Sequence, residues 1–132
     1  MCRCQLRAAV MKRAGKCAVI QRCQVHKIRN VVDHLTAEYQ MNIRCKLRNA
    51  YSMRDQEAAR RALDALLREL MDLNPSAARS LEEGLSDTLT VHRLRLPDGL
   101  RRNLSNTNWI ESAFSVVETV CRNVKRWQGG DQ

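Results

Sequence analysis

Ala59, Leu63, Leu66, Leu70 and Leu73 recur at three- and four-residue steps, the repeat of an α-helix with one buried face. The opposite face carries Glu57–Arg61 and Asp64–Arg68, acid-to-base pairs four residues apart that favour a helix in water. Ser52 followed by Asp55 reads as its start signal. Asn74-Pro75 ends it, the asparagine capping the next helix and the proline taking its first position. The rest of the chain follows the same period. Val25, Ile28, Val32 and Leu35 outline a helix from Gln24, and Thr36 caps another with Tyr39, Ile43, Leu47 and Ala50 inward. Leu81, Leu85 and Leu89 turn inward on a further helix that Gly84 weakens. Leu96-Pro97-Asp98-Gly99 is a turn, residues 100–106 form a basic connector, and a last helix begins at Asn108. Its stripe is Ile110, Phe114, Val117, Cys121 and Val124, stopped by Gln128-Gly129-Gly130. Cys17-Ala18-Val19-Ile20-Gln21 is a short apolar run, either a buried strand or the lead-in to a helix. The expected fold is mainly α, with at most one or two short strands near the N-terminus.

The 132 residues suffice for one domain with a core. It divides into a basic, weakly patterned start (1–16), a helical region (17–96), a turn and last helix (97–127) and a tail (128–132). No run of 18 apolar residues spans a membrane, and no apolar stretch at the start reads as a secretory signal. A net charge of +9 attracts polyanions through counterion release, which by itself leaves a nucleic-acid binder and a merely basic helical protein equally open. Aromatics make up only 4% of the residues, which argues against a single-strand binder built on stacking platforms. Six irregularly spaced cysteines in a chain able to build a helical core read as reduced thiols of a cytoplasmic protein, nucleoid-associated when bound to DNA.

Three groups of residues carry candidate chemistry. Glu111 stands three residues after Asn108, the spacing of a capping box, and is also the carboxylate best placed to be held at a helix start. Phosphoryl transfer by two metal ions about 3.5–4 Å apart needs several converging carboxylates. Asp33, Glu38, Asp55, Glu57, Asp64, Glu69 and Asp72 fall on helix faces read as solvent-facing, so the chain does not build a two-metal site by itself. Cys23 and His26 have a short metal-ligand spacing, but no second Cys or His pair completes a zinc site. Arg122, Lys125 and Arg126 near Trp127, with Arg101 and Arg102 before the last helix, are candidate phosphate contacts or solvated helix-end cations.

These motifs together resemble the Mutator family of insertion-sequence transposases. Gln21-Arg22-Cys23-Gln24-Val25-His26-Lys27-Ile28-Arg29-Asn30 is similar to the family's Gln-Arg-Cys-x-x-His-Lys-x-Arg-Asn signature. Pro75 to Glu82 resembles its middle helical region, Leu104 to Ser112 its glutamate segment, and Arg122 to Trp127 the tail of one bacterial branch. The resemblance implies the helical insertion and glutamate-bearing helix of a ribonuclease H-like domain. It implies Glu111 as the third metal-binding carboxylate of an Asp-Asp-Glu site using Mg²⁺ or Mn²⁺. It places Cys23 and His26 in a signature beside the active site, and makes Asn108 a residue that shapes the start of the glutamate helix. The implied reaction is cleavage and transfer of DNA strands at transposon ends. The family's two aspartates precede the Cys-x-x-His segment, whereas the first acidic residue here is Asp33, and Glu118 stands where a basic residue is typical. The expectation is a truncated remnant, inactive alone. The alternatives are a non-catalytic helical regulator that binds DNA, intact transposase or itself, and a small zinc-binding protein using Cys23 and His26.

Overall fold

The computed structural model describes residues 3–15 and 18–122, with side chains from residue 8 onward. Cys17, Val124, Lys125, Arg126, Trp127 and the Gln128-Gly129-Gly130 stop lie outside the described residues. The described chain is helical throughout, with no strand: α1 Arg3–Ala14, α2 Gln24–Val32, α3 Ala37–Ser52, α4 Gln56–Leu73, α5 Pro75–Glu82, α6 Leu85–Thr88, α7 Thr90–Arg93, α8 Asp98–Leu104 and α9 Asn108–Cys121. Helix α2 packs on α3 and α5, and α4 packs on the same two, so the four close around one core. Val31, Ile43, Leu47, Leu63, Leu70 and Leu81 fill it with almost no exposure. Each such side chain contributes about 1.5–3 kcal/mol by leaving water.

The helix starts follow local chemistry. The Asp55 carboxylate accepts the Ala58 amide at 2.7 Å, so Asp55 rather than Ser52 caps α4. The Asn74 side-chain oxygen accepts the amides of Ser76 and Ala77, while its amide group donates to the His34 carbonyl at 2.8 Å. One residue thus starts α5 and ties it to the end of α2. Thr36 occupies the cap position of α3 without a side-chain bond. On α4, Asp64 pairs with Arg60 at 3.0 Å, one turn before the expected Arg68. At Gly84 the backbone takes φ +69°, which separates α5 from α6, and a second break at Leu89 separates α6 from α7, while Leu81, Leu85 and Leu89 stay buried.

Three apolar expectations shift. On α2 the buried positions are Gln24, Lys27, Val31 and Val32, and Val25 faces water, because polar groups that find carbonyl partners displace the apolar stripe. Tyr39 and Leu73 are likewise exposed ends of their stripes. Residues 100–106 are not a connector: most of them form α8, held by Arg101. The Arg101 guanidinium donates to the carbonyls of Tyr51 and Met53 and to Asp98, sealing the end of α3.

The run from Ala18 to Cys23 is a lead-in to α2, not a strand. Its polar groups are bound by α6 and α7: the Arg22 amide donates to the Asp87 carbonyl at 2.9 Å, and the Ile20 carbonyl accepts the Thr90 hydroxyl at 2.7 Å. Gln21 accepts the Val91 amide and donates to the Thr88 carbonyl. Cys23, Cys45 and Cys121 are free thiols.

His92 is 2% exposed, with Nε2 3.1 Å from the Tyr51 carbonyl and Nδ1 buried without a partner. Burial, with Arg101 nearby, lowers its pKa below the usual 6.5 despite the backbone hydrogen bonds that oppose the shift. Burial also pushes the Tyr51 phenol up to about 12, although Tyr51 donates to Thr88. A histidine depressed in the folded state adds stability above 6.5 that is lost as pH falls toward the folded value. The melting temperature should therefore drop between about pH 7.5 and 5, and His92→Gln should flatten that slope. An unchanged slope in the variant assigns the acid sensitivity elsewhere.

Candidate functional site

Two helix starts far apart in sequence meet here. The Gln24 amide donates to the Ser105 carbonyl at 2.8 Å, which fixes the first turn of α2 against the loop that opens α9. At the α2 start, Cys23 is the cap, its sulfur accepting the His26 amide at 3.5 Å. At the α9 start the cap position falls on Thr107, with Asn108 as the first helical residue. Thr107 has φ −102° and ψ 9°, not the extended backbone that aims a hydroxyl at the helix amides. Its hydroxyl donates instead to the Glu111 carboxylate at 2.6 Å. The expected capping box does not form, and the Asn108 amide is taken by the Asn106 side chain at 3.0 Å.

The result is a cluster of four side chains. The Thr107 oxygen lies 3.3 Å from His26 Nδ1 and 3.6 Å from Cys23 Sγ. His26 Nε2 lies 3.4 Å from the same Glu111 oxygen that Thr107 holds. Glu111 is more than half exposed, and its second oxygen makes no hydrogen bond or ion pair among the described residues. Cys23, His26 and Glu111 are therefore brought together, with Asn108 beside them. Thr107, which joins all three, is the residue a motif-by-motif reading misses; its signal is the four-residue step to Glu111 on one helix face.

The signature around Cys23 divides into two faces. Cys23 and His26 point at α9, while Arg22, Gln24 and Lys27 point at the α5–α7 break. Lys27 Nζ donates to the carbonyls of Ser80 and Glu83 at 2.5 and 2.6 Å, and Arg22 donates to the Glu83 carbonyl and pairs with its carboxylate at 3.0 Å. These cations satisfy the carbonyls that the end of α5 leaves open. Gly84 also lies where any side chain would strike the Arg22 guanidinium.

The candidate phosphate contacts scatter. Arg101 is spent on α3 and Asp98. Partial desolvation pushes the Asp98 carboxyl up, but Arg54 and Arg101 together hold it below the usual range. Arg102 is exposed on a 460 Å³ depression shared with Arg48 and Ser105. Arg122 is exposed at the end of α9. No group of three His, Cys, Asp or Glu side chains among the described residues forms a metal-holding set. Glu111 is the one carboxylate in its cluster, so the residues gathered here do not fit a two-metal centre by themselves.

A helical chain that positions a single carboxylate beside a Cys-x-x-His turn is defined by that pairing of α2 with α9. The pairing lies within residues 6–127, which match the profile described as Transposase, Mutator family; the chain belongs to that family. The transposase for insertion sequence element IST2 of Acidithiobacillus ferrooxidans is 31% identical over 97 residues, covering 74% of this chain and 32% of that protein. The transposase for insertion sequence element ISRM5 of Rhizobium meliloti (strain 1021) is 35% identical over 94 residues, covering 71% of this chain and 23% of that protein. The chain thus spans about a third or less of the length of these relatives. No solved structure matches it. Among the described residues, no helix is long and apolar enough to cross a membrane.

The two-faced signature separates fold from site. Lys27→Met should cost about 1.5–3 kcal/mol in urea unfolding, because it removes two charge-assisted hydrogen bonds and leaves the Ser80 carbonyl without its ammonium donor. His26→Ala, at a partly exposed side chain, should cost less than about 1 kcal/mol. Equal losses in the two variants would refute the division.

Proposed function

We propose that this chain is the glutamate-bearing part of the catalytic region of a DDE-type transposase, a ribonuclease H-like domain that cleaves and transfers DNA strands at transposon ends. The observation that carries the reading is the Thr107–Glu111–His26–Cys23 cluster, which joins two motifs more than 80 residues apart. Glu111 would supply one carboxylate to a Mg²⁺ or Mn²⁺ site whose other carboxylates come from a different polypeptide segment. Thr107 and His26 act as positioning residues, restricting the rotamers of that carboxylate from two sides. Arg102 and Arg122, with Lys125 and Arg126, supply cations for the DNA backbone. With one carboxylate at hand, the chain alone does not hold both metals and does not cleave. A second reading, a regulator that binds DNA or an intact transposase without catalysis, is favoured by the open apolar face of α9.

Two experiments test the catalytic reading. Incubated alone with Mg²⁺ or Mn²⁺ and DNA carrying transposon ends, the purified chain should leave the DNA intact; Glu111-dependent cleavage would overturn its inactivity alone. Residues 19–122 should also replace the matching segment of the IST2 transposase in a transposition assay. In that chimera, Thr107→Val should reduce activity about 10–100-fold and Thr107→Ser should restore most of it. Glu111→Gln should reduce it further still. Transposition that survives Glu111→Gln would return Glu111 to a purely structural role and favour the regulator.

A further inference from the structure

Arg102 of α8 shares its 460 Å³ depression with Arg48 of α3, a residue that no motif singles out. Both are exposed, and neither guanidinium makes a hydrogen bond or ion pair among the described residues. The one acid in the lining, Asp98, is already shared by Arg54 and Arg101, so it does not neutralise the other two arginines. The Ser52 and Ser105 hydroxyls donate to the Asn49 and Arg102 carbonyls of their own helix ends, which leaves recognition at this surface to the guanidiniums. A second depression, of 400 Å³, has Asp98 and Arg101 in common with the first and adds Arg95. Arg95 is likewise exposed and without an ion pair among the described residues. Asp98 is thus the only acid in either lining. Cations gathered in this way attract an anion and repel one another without one.

We propose that the two depressions are one track for the DNA sugar–phosphate backbone, in which Arg48 and Arg102 hold one phosphodiester and Arg95 holds a further one. Two cationic depressions that share a wall suit an anion that repeats along a chain, where a single small ion would use only one of them. The planar guanidinium fork matches phosphate oxygens and keeps its charge at any working pH. Arg101 is the positioning residue: it holds Asp98 and the end of α3, and so builds the common wall. The track adjoins the candidate site. Ser105, in the first lining, accepts the Gln24 amide and stands two residues before Thr107, and Gln24 and Val25, in the same lining, lie between Cys23 and His26. The inference rests on the reading of this chain as part of a DNA-cleaving domain, and adds to it a contact from α3.

The test is fluorescence anisotropy of a labelled duplex titrated with the full chain, in EDTA, from about 50 to 300 mM salt. Arg48→Gln, Arg102→Gln and Arg95→Gln should each lower the slope of log affinity against log salt by about 1, whatever the duplex sequence. Arg48→Lys should keep the slope, because it keeps the charge. Arg61→Gln, at an exposed cation of α4 outside both depressions, should also keep it. An unchanged slope in any of the first three variants overturns the track. So does an equal loss in Arg61→Gln, which would make the effect one of total charge, and so does a wild-type chain that does not bind. The assay reads binding without divalent metal, so it is separate from the test of Glu111. Unchanged slopes beside Glu111-dependent transposition in the chimera overturn the track and leave the catalytic reading standing. Lowered slopes beside Glu111-independent transposition uphold the track and remove catalysis.

Discussion

The hydrogen bonds that tie residues 20–27 to the end of α5 and to α6 and α7 set the position of everything in the candidate site. A helix that stops at a left-handed glycine leaves its last carbonyls without partners. Lys27 and Arg22 reach the Ser80 and Glu83 carbonyls and satisfy them. Once Gln24 and Lys27 are turned inward, the rotation of α2 is fixed. Cys23 and His26, three residues apart on a neighbouring face, are then aimed at the loop before α9. The geometry of the cluster is thus a consequence of how one break in the helical array is closed.

Much of the helical frame was legible in the sequence because leucines and alanines on α4 repeat with little interference from polar residues. Asn74-Pro75 gave the α4–α5 junction for the same reason: cap and proline chemistry are local. The reading of α2 failed at Val25 because a count of apolar residues gives no weight to a buried lysine whose ammonium meets carbonyls 53 and 56 residues away. Helix α8 has no apolar stripe, and what holds it is the reach of Arg101 to Tyr51 and Met53, which local sequence does not announce. At the site, the step from Thr107 to Glu111 is visible in the chain. The approach of His26 to Glu111 depends on the long-range bond from Gln24 to Ser105 and is visible only through family resemblance.

The interior and α9 follow opposite rules. Inside, the polar groups Gln24, Lys27, Thr88 and Thr90 are buried because each finds a partner, and the His92 Nδ1 atom is the exception. A buried, unpartnered imidazole nitrogen resists protonation, which makes the core acid-sensitive without any carboxylate being involved. On α9 the large apolar side chains of Trp109, Ile110, Phe114, Val116, Val117 and Val120 form an arc that faces water, while its two acids sit on the polar side. Such an arc contributes nothing to the stability of the isolated chain and becomes favourable only when covered.

Cover and site are therefore linked. The start of α9 is held to the core by the Gln24–Ser105 bond and the Thr107 cluster, while the turns beyond contain no buried residue. A helix anchored at one end opens locally at low cost. Any surface that binds the apolar arc only when α9 is formed must shift the equilibrium toward the formed helix, by as much as its preference for that state. Because Thr107 and Glu111 face each other across the first turn of α9, that shift also favours the arrangement in which one oxygen of the carboxylate is held by Thr107 and His26. Burial of α9 and the positioning of Glu111 are in this sense one equilibrium.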